Sequence, residues 1–129
     1  MKEIIAIVRL NKVNVTKEAL MQAGFPAFTC RKVQGRGKKA MDAKLVRMIL
    51  EDGELPVSQM GEYFTESVRL IPKRVFTLII KDEDVKNVVE AIMDANSTGN
   101  PGDGKIFVLP VMEAYRISSG MQQADSESY

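Results

Sequence analysis

The chain is 129 residues long, enough for one domain with a sizeable core and too short for two independent ones. Its 45% hydrophobic and 27% charged residues are ordinary for a globular chain, and a formal net charge of +1 supplies no global field toward nucleic acid or anionic membrane. With no histidine and Cys30 as its one thiol, the sequence excludes an internal disulfide, argues against a zinc or transition-metal site, and removes Cys–His and Ser–His–Asp catalysis from consideration.

Met1-Lys2-Glu3-Ile4 starts a strand pattern rather than a signal peptide, and no apolar run approaches membrane-spanning length. Together with the lone thiol, that predicts a cytoplasmic protein. Residues 4–10, Ile-Ile-Ala-Ile-Val-Arg-Leu, form a β-rich run suited to a covered strand. Asn14 or Thr16 is the expected cap of the next element, a helix with Val15, Ala19, Leu20 and Ala23 on one face and Gly24 as its stop. Phe25-Pro26 marks a turn. A second strand is expected over 27–33, closed by Gly35-Arg36-Gly37-Lys38-Lys39.

Residues 37–72 differ from what flanks them. Met41, Leu45, Met48 and Ile49 fit a short amphipathic helix, while Gly53, Pro56 and Gly61 interrupt the remainder. Loops of this length in a compact domain are surface excursions or functional arms, and the pattern alone leaves both open. Regular structure resumes with a strand over 74–80. Asp82 is placed to cap the helix after it, whose inward stripe is Val85, Val88, Val89, Ile92 and Met93. A fourth strand is expected over 105–111, with a possible continuation through 114–117 beyond Pro110. The polar tail 118–129 reads as disordered.

Between that helix and that strand lies Thr98-Gly-Asn-Pro-Gly-Asp-Gly-Lys105. Its glycines permit positive φ and close approach of a ligand to the main chain, and Lys105 adds a cation suited to an oxyanion. Gly99, Gly104 and Lys105 keep P-loop spacing. However, Ile106 replaces the Mg²⁺-holding Ser/Thr, and the order helix–loop–strand is inverted, which argues against a Walker-type NTPase. Spelling alone leaves an anion-binding turn and a plain connection both open. Strand–helix–strand occurs twice, over 4–33 and 74–111, which is the β-α-β-β-α-β order of the α+β ferredoxin-like fold. Its strands are too apolar for one face to meet water, so an oligomer is expected.

The glycine-lysine segment Gly35-x-Gly37-Lys38, the long loop closing at Pro72-Lys73, and Thr98-x-x-x-Gly102-Asp103-Gly104-Lys105-Ile106-Phe107 together resemble the PII family of nitrogen-regulatory signal proteins. Met1-Lys2-Glu3-Ile4 and Lys17-Glu18-Ala19-Leu20 ahead of Gly24 are similar to that family too. The resemblance implies a PII-like domain over residues 1–117, with a target-docking T-loop at about 37–73. It implies a trimer that binds ATP or ADP in clefts between subunits and senses 2-oxoglutarate, with Mg²⁺ possible beside ATP. Thr29 then stands near the adenine. Gly35, Gly37, Lys38, Thr98, Gly102, Asp103, Gly104 and Lys105 match nucleotide-site positions, Arg116 matches a phosphate-contacting arginine, and Lys73 matches the lysine that pairs with a 2-oxoglutarate carboxylate.

This chain departs from the family pattern at several positions. Lys38 stands for the usual arginine, keeping charge and losing a bidentate fork. Ser118 stands for a second phosphate-contacting arginine, which implies weaker nucleotide affinity. Lys39 replaces a Mg²⁺-ligating glutamine, and an ammonium offers only donors, which puts 2-oxoglutarate capture by this chain alone in question. Tyr63 lies in the T-loop without the usual context for nucleotidylation. These features resemble the second, longer-looped paralogue of the nitrogenase-associated branch. There the implied role is direct regulation of a nitrogenase component with a PII paralogue, in a mixed hexamer if the two co-assemble. Regulation of an ammonium transporter or of glutamine synthetase is the alternative. A slow ATPase lacks a placed general base, and an RNA binder lacks paired sheet aromatics, so neither catalysis nor nucleic-acid binding is expected.

Overall fold

The computed structural model of the chain describes residues 1–37 and 70–123. The chain divides into two compact units, residues 1–33 with 72–129, and residues 34–71. Most of the second unit, including the expected helix around Met41 and Leu45, lies outside the described residues.

The first unit holds the order β1 (Lys2–Arg9), α1 (Val13–Gln22), β2 (Thr29–Gly35, whose last two residues belong to the second unit), β3 (Ile71–Ile80, whose first residue belongs to the second unit), α2 (Val85–Asn96) and β4 (Lys105–Pro110). Short 3-10 turns, Leu10–Lys12 and Asp82–Asp84, lead into the two helices. The sheet order β2-β3-β1-β4, with β1 antiparallel to both β3 and β4, is that of the ferredoxin-like fold. Here the doubled strand–helix–strand pattern read from the sequence is what the chain adopts.

The alternation of side chains along a strand sorts the sheet into two faces. Ile4, Ala6 and Val8 of β1 and Phe76, Leu78 and Ile80 of β3 point to the helix side and are fully or almost fully buried, together with Leu20, Val88 and Ile92 from the helices. Burying the Val, Leu, Ile and Phe side chains among these contributes about 1.5–3 kcal/mol each. Phe28, just before β2, sets its ring against Phe76 at 5.4 Å between centroids, tilted by 57°, and fixes where the chain enters the sheet. The opposite face carries Ile5, Ile7, Val75, Ile79, Phe107 and Leu109, as the register of β1 with β3 and β4 requires. Phe107 and Leu109 are 42% and 37% exposed.

Several local expectations are corrected. Neither Asn14 nor Thr16 caps α1, which begins after Lys12 with no side-chain cap. Thr16 is instead buried, its hydroxyl donating to Lys12 O one turn back at 2.7 Å. Asp82 does not cap α2 either, because its carboxylate takes the Met1 ammonium at 2.7 Å. The α2 seam runs Val88–Ile92–Asn96, leaving Met93 54% exposed, and Val15 of α1 is likewise exposed. β2 starts two residues later than expected, after the Phe28 contact, and β3 starts three residues earlier, with Pro72 tolerated near its first end. β4 ends at Pro110. The chain beyond it does not continue the strand; Tyr115 pairs with Gln122 across a turn in which Gly120 N–H donates to Arg116 O at 2.8 Å. Of the expected tail, 118–123 belongs to this turn, and 124–129 lies outside the described residues. Gly24 stops α1 as expected, with φ +89°.

Candidate functional site

The loop from α2 to β4 is built around one carboxylate. Asp103 Oδ2 accepts the N–H groups of Thr98 at 2.8 Å and Gly99 at 3.0 Å, and the Thr98 hydroxyl donates to Oδ1. Arg9, the last residue of β1, closes the arrangement from the sheet. Its Nη1 reaches Asp103 Oδ1 at 2.6 Å and Thr98 Oγ1 at 3.3 Å, and its Nη2 donates to Pro101 O at 2.9 Å. The hydrogen bonds from Thr98, followed by those of Arg9 and Gly99, hold the Asp103 carboxyl far below the usual carboxylate range. Asp103 is thus a fixed anion that folds the loop.

The backbone conformation needs glycine at defined places. Gly99, Gly102 and Gly104 have φ of +79°, +97° and +111°. A Cβ on Gly104 would come within 1.9 Å of Ile7 O, so loop and β1 main chains touch there directly. Lys73, paired with Arg9 across β1 and β3, donates from Nζ to Gly102 O at 3.2 Å. Lys105, opposite Ile7 on β4, has its ammonium 5.6 Å from the centre of the Phe107 ring. Asp103 occupies the N–H groups at the start of the loop, so an oxyanion would be met by the main chain of 102–105 with the Lys105 and Lys73 cations beside it. Under this loop, between α2 and β4, runs a cleft of about 410 Å³ with a mainly apolar lining that includes Val89, Ile92, Ile106 and Val108.

Of the residues singled out in the sequence, Lys73, Thr98, Gly102, Asp103, Gly104 and Lys105 come together in this one arrangement. Thr29 does not join them. It opens β2, the edge strand opposite β4, three inter-strand steps or about 14 Å away across the sheet. Gly35 ends β2 and Gly37 follows it, both in the 34–71 unit, and Lys38 lies outside the described residues. Arg116 sits in the turn after β4, where its N–H donates to Met121 O at 2.9 Å. Sequence reasoning missed Arg9, which read as the end of an apolar strand. The signal available was a lone cation closing that run. Among the described residues no cluster of Cys, Asp and Glu could hold a metal ion, and no helix is long and apolar enough to cross a membrane.

A four-stranded antiparallel sheet with two helices on one face and a glycine-rich loop leading into its edge strand β4 defines an α+β protein of the ferredoxin-like class. The sequence narrows this further. Residues 1–121 match the family described as nitrogen regulatory protein P-II, and the chain belongs to that family, one of regulatory proteins rather than enzymes. It is 44% identical over 117 residues to the nitrogen fixation nifHD region GlnB-like protein 2 of Methanobacterium ivanovii, covering 91% of each chain. It is 47% identical over 117 residues to the protein of the same description from Methanococcus maripaludis, covering 91% of this chain and 92% of that one. To the nifHD region GlnB-like protein 1 of Methanothermococcus thermolithotrophicus it is 41% identical over 120 residues, covering 93% and 96%.

Proposed function

We propose that this protein is a nucleotide-responsive regulator of nitrogen fixation, binding ATP or ADP at the 98–105 loop and acting on a nitrogenase component through its 37–73 arm. The observation that carries this reading is the loop itself: glycines that bring bare main chain forward, an Asp103 already neutralised by Arg9, and Lys105 and Lys73 beside it. Residues of this type fit a polyphosphate. The apolar cleft between α2 and β4 lies on the helix side of the sheet, opposite the face to which Lys105 turns, and is not assigned to this ligand.

A site between subunits is part of this reading: Thr29 and the loop stand at opposite edges of the sheet, and two copies of the chain would let both kinds of group reach one nucleotide. The apolar sheet face with Ile5, Ile7, Phe107 and Leu109 supplies a surface for association. A trimer is the assembly proposed, with mixed assembly beside a paralogue as a second form, since relatives carry the descriptions protein 1 and protein 2. 2-Oxoglutarate is proposed as the second signal, with Lys73 as its carboxylate partner and any Mg²⁺ held by nucleotide oxygens. Because Lys39 replaces a metal-ligating glutamine, that signal is assigned to the mixed assembly. The nitrogenase component enters from the nitrogen-fixation names of the relatives. The cytoplasm is where all these ligands meet.

The test is calorimetric titration of the full chain with ATP, with and without 2-oxoglutarate and Mg²⁺, together with its mass in solution. ATP binding with one site per subunit of a trimer is expected. Absence of nucleotide binding, or binding unchanged in Lys105→Ala, would overturn the site assignment. Capture of the nitrogenase component by the full chain, released when nucleotide and 2-oxoglutarate are added, is expected for the target. An ammonium transporter or glutamine synthetase captured in its place would replace it.

A further inference from the structure

The loop is held at one end by Arg9 and Asp103, and at the other by a buried polar contact that the binding reading does not use. Asn96, the last residue of α2, is 5% exposed. Both hydrogens of its Nδ2 are committed, one to Thr16 Oγ1 on α1 at 2.9 Å and one to Ile92 O, a turn back in its own helix, at 2.8 Å. Thr16 is fully buried and passes its own hydrogen to Lys12 O. The relay therefore links the start of α1 to the final turn of α2. Asn96 Oδ1 is buried with no partner among the described residues.

Asparagine is a costly choice at this point. The seam between α1 and α2 is otherwise made of Leu20, Val88 and Ile92, and a leucine would close it without an unpaired carbonyl. Directional bonds do what leucine cannot: they set the position of the helix end. Immediately beyond Asn96 the chain leaves helical geometry at Ser97 (ψ 121°), and Thr98 begins its bonds to Asp103. A rotation of the last turn of α2 would move the Thr98 and Gly99 N–H groups off that carboxylate.

We propose that Asn96, through Thr16, is a positioning residue for the oxyanion loop: the α1–α2 hydrogen bond fixes the exit of α2 so that Thr98 and Gly99 meet Asp103 and the 102–105 main chain is presented to ligand. Its ligand arm rests on the nucleotide reading above; its structural arm does not. The contact ties ligand affinity to a helix, α1, that contributes no group to the loop.

The experiment measures amide hydrogen exchange at Thr98 and Gly99 and the affinity for ATP, in the full chain and in Asn96→Leu, Thr16→Val, Thr16→Ser and the Thr16→Val/Asn96→Leu pair. Asn96→Leu and Thr16→Val are each expected to speed exchange at those two amides about fivefold to tenfold, the size of one lost hydrogen bond, and to weaken ATP binding similarly. The pair should do no more than the stronger single change, and Thr16→Ser should behave as the parent chain. Unchanged exchange and affinity with a lowered melting midpoint would mean a packing role only and would overturn the proposal. If Asn96→Leu does not fold, Thr16→Val removes the same bond from the other side and decides. If the parent chain takes no ATP, the nucleotide reading falls, and exchange at Thr98 and Gly99 alone decides the positioning role.

Discussion

The two glycine-bearing segments that the PII resemblance assigns to one binding site differ physically. In the 98–105 loop, Gly99, Gly102 and Gly104 all have positive φ, and at Gly104 no Cβ fits against Ile7 O. At Gly35 and Gly37 neither residue has positive φ, and an added Cβ would meet nothing within 4 Å among the described residues. The first set of glycines is demanded by the fold, whatever binds there. Nothing among the described residues demands the second set, and close approach of a ligand to that main chain is one explanation that can be tested. Glycine is thus ambiguous as a functional signal until its backbone angle and surroundings are known.

The strongest way to break this comparison is Gly104→Ala. The methyl group would need the β1 and loop main chains to separate where β4 begins, at a φ that alanine adopts only under strain. A loss of about 3–5 kcal/mol in stability is expected, read from chemical denaturation. A loss below about 1 kcal/mol would mean that the close approach to Ile7 is not a feature of the protein in solution. Gly102→Ala is the intermediate case. Its Cβ would meet Arg9 Nη2 at 3.3 Å, so the guanidinium must give slightly against its bonds to Asp103 and Pro101, and with the strained φ a cost of about 1–3 kcal/mol is expected.

What could be read in the sequence follows the same division between local and distant causes. The fold was legible because period-two and helical patterns repeat twice in order, and because Gly24 and the 99–104 glycines mark turns by local chemistry. Arg9 was not, since its partner Asp103 stands 94 positions away and nothing local distinguishes it from a solvated strand end. Thr16 and Asn96 were hidden for a related reason. Threonine near a helix start reads as a cap, and asparagine at a helix end reads as a stop, whereas tertiary packing turns both inward and bonds one to the other. Asp82 was misread because its partner is the chain's own ammonium, which no helix pattern reveals.

Acid tests the Arg9–Asp103 hub. The Asp103 carboxyl is depressed in the folded chain, so its contribution to stability is fully present above the ordinary unfolded value of about 3.9 and is lost as pH falls through the lower folded value. Melting midpoints followed from pH 6 to pH 2 should therefore fall in the acid limb. In Asp103→Asn the midpoint should start lower at pH 6 and fall less steeply, because the amide cannot ionise. The Asp82–ammonium pair adds an acid dependence of the same sign in both proteins, so the difference between them isolates the loop. Parallel curves would mean that Asp103 is not held by Thr98 and Arg9 in solution.

The smallest effect on stability is expected at Gly37, and there the two glycine sets separate most clearly. With no described residue within 4 Å of the added methyl group and no positive φ, Gly37→Ala should leave the stability within about 0.5 kcal/mol of the parent. If phosphate oxygens pack against that main chain, the same methyl group stands in their way, and ATP affinity should drop by about tenfold or more. Such a drop without a stability change would assign Gly37 to ligand contact. An unchanged affinity would confine the phosphate contacts of this chain to the 98–105 loop and remove Gly37 from the site. A lowered midpoint would instead mean that the 34–71 unit packs closely around Gly37 in solution, and that fold and ligand both constrain it.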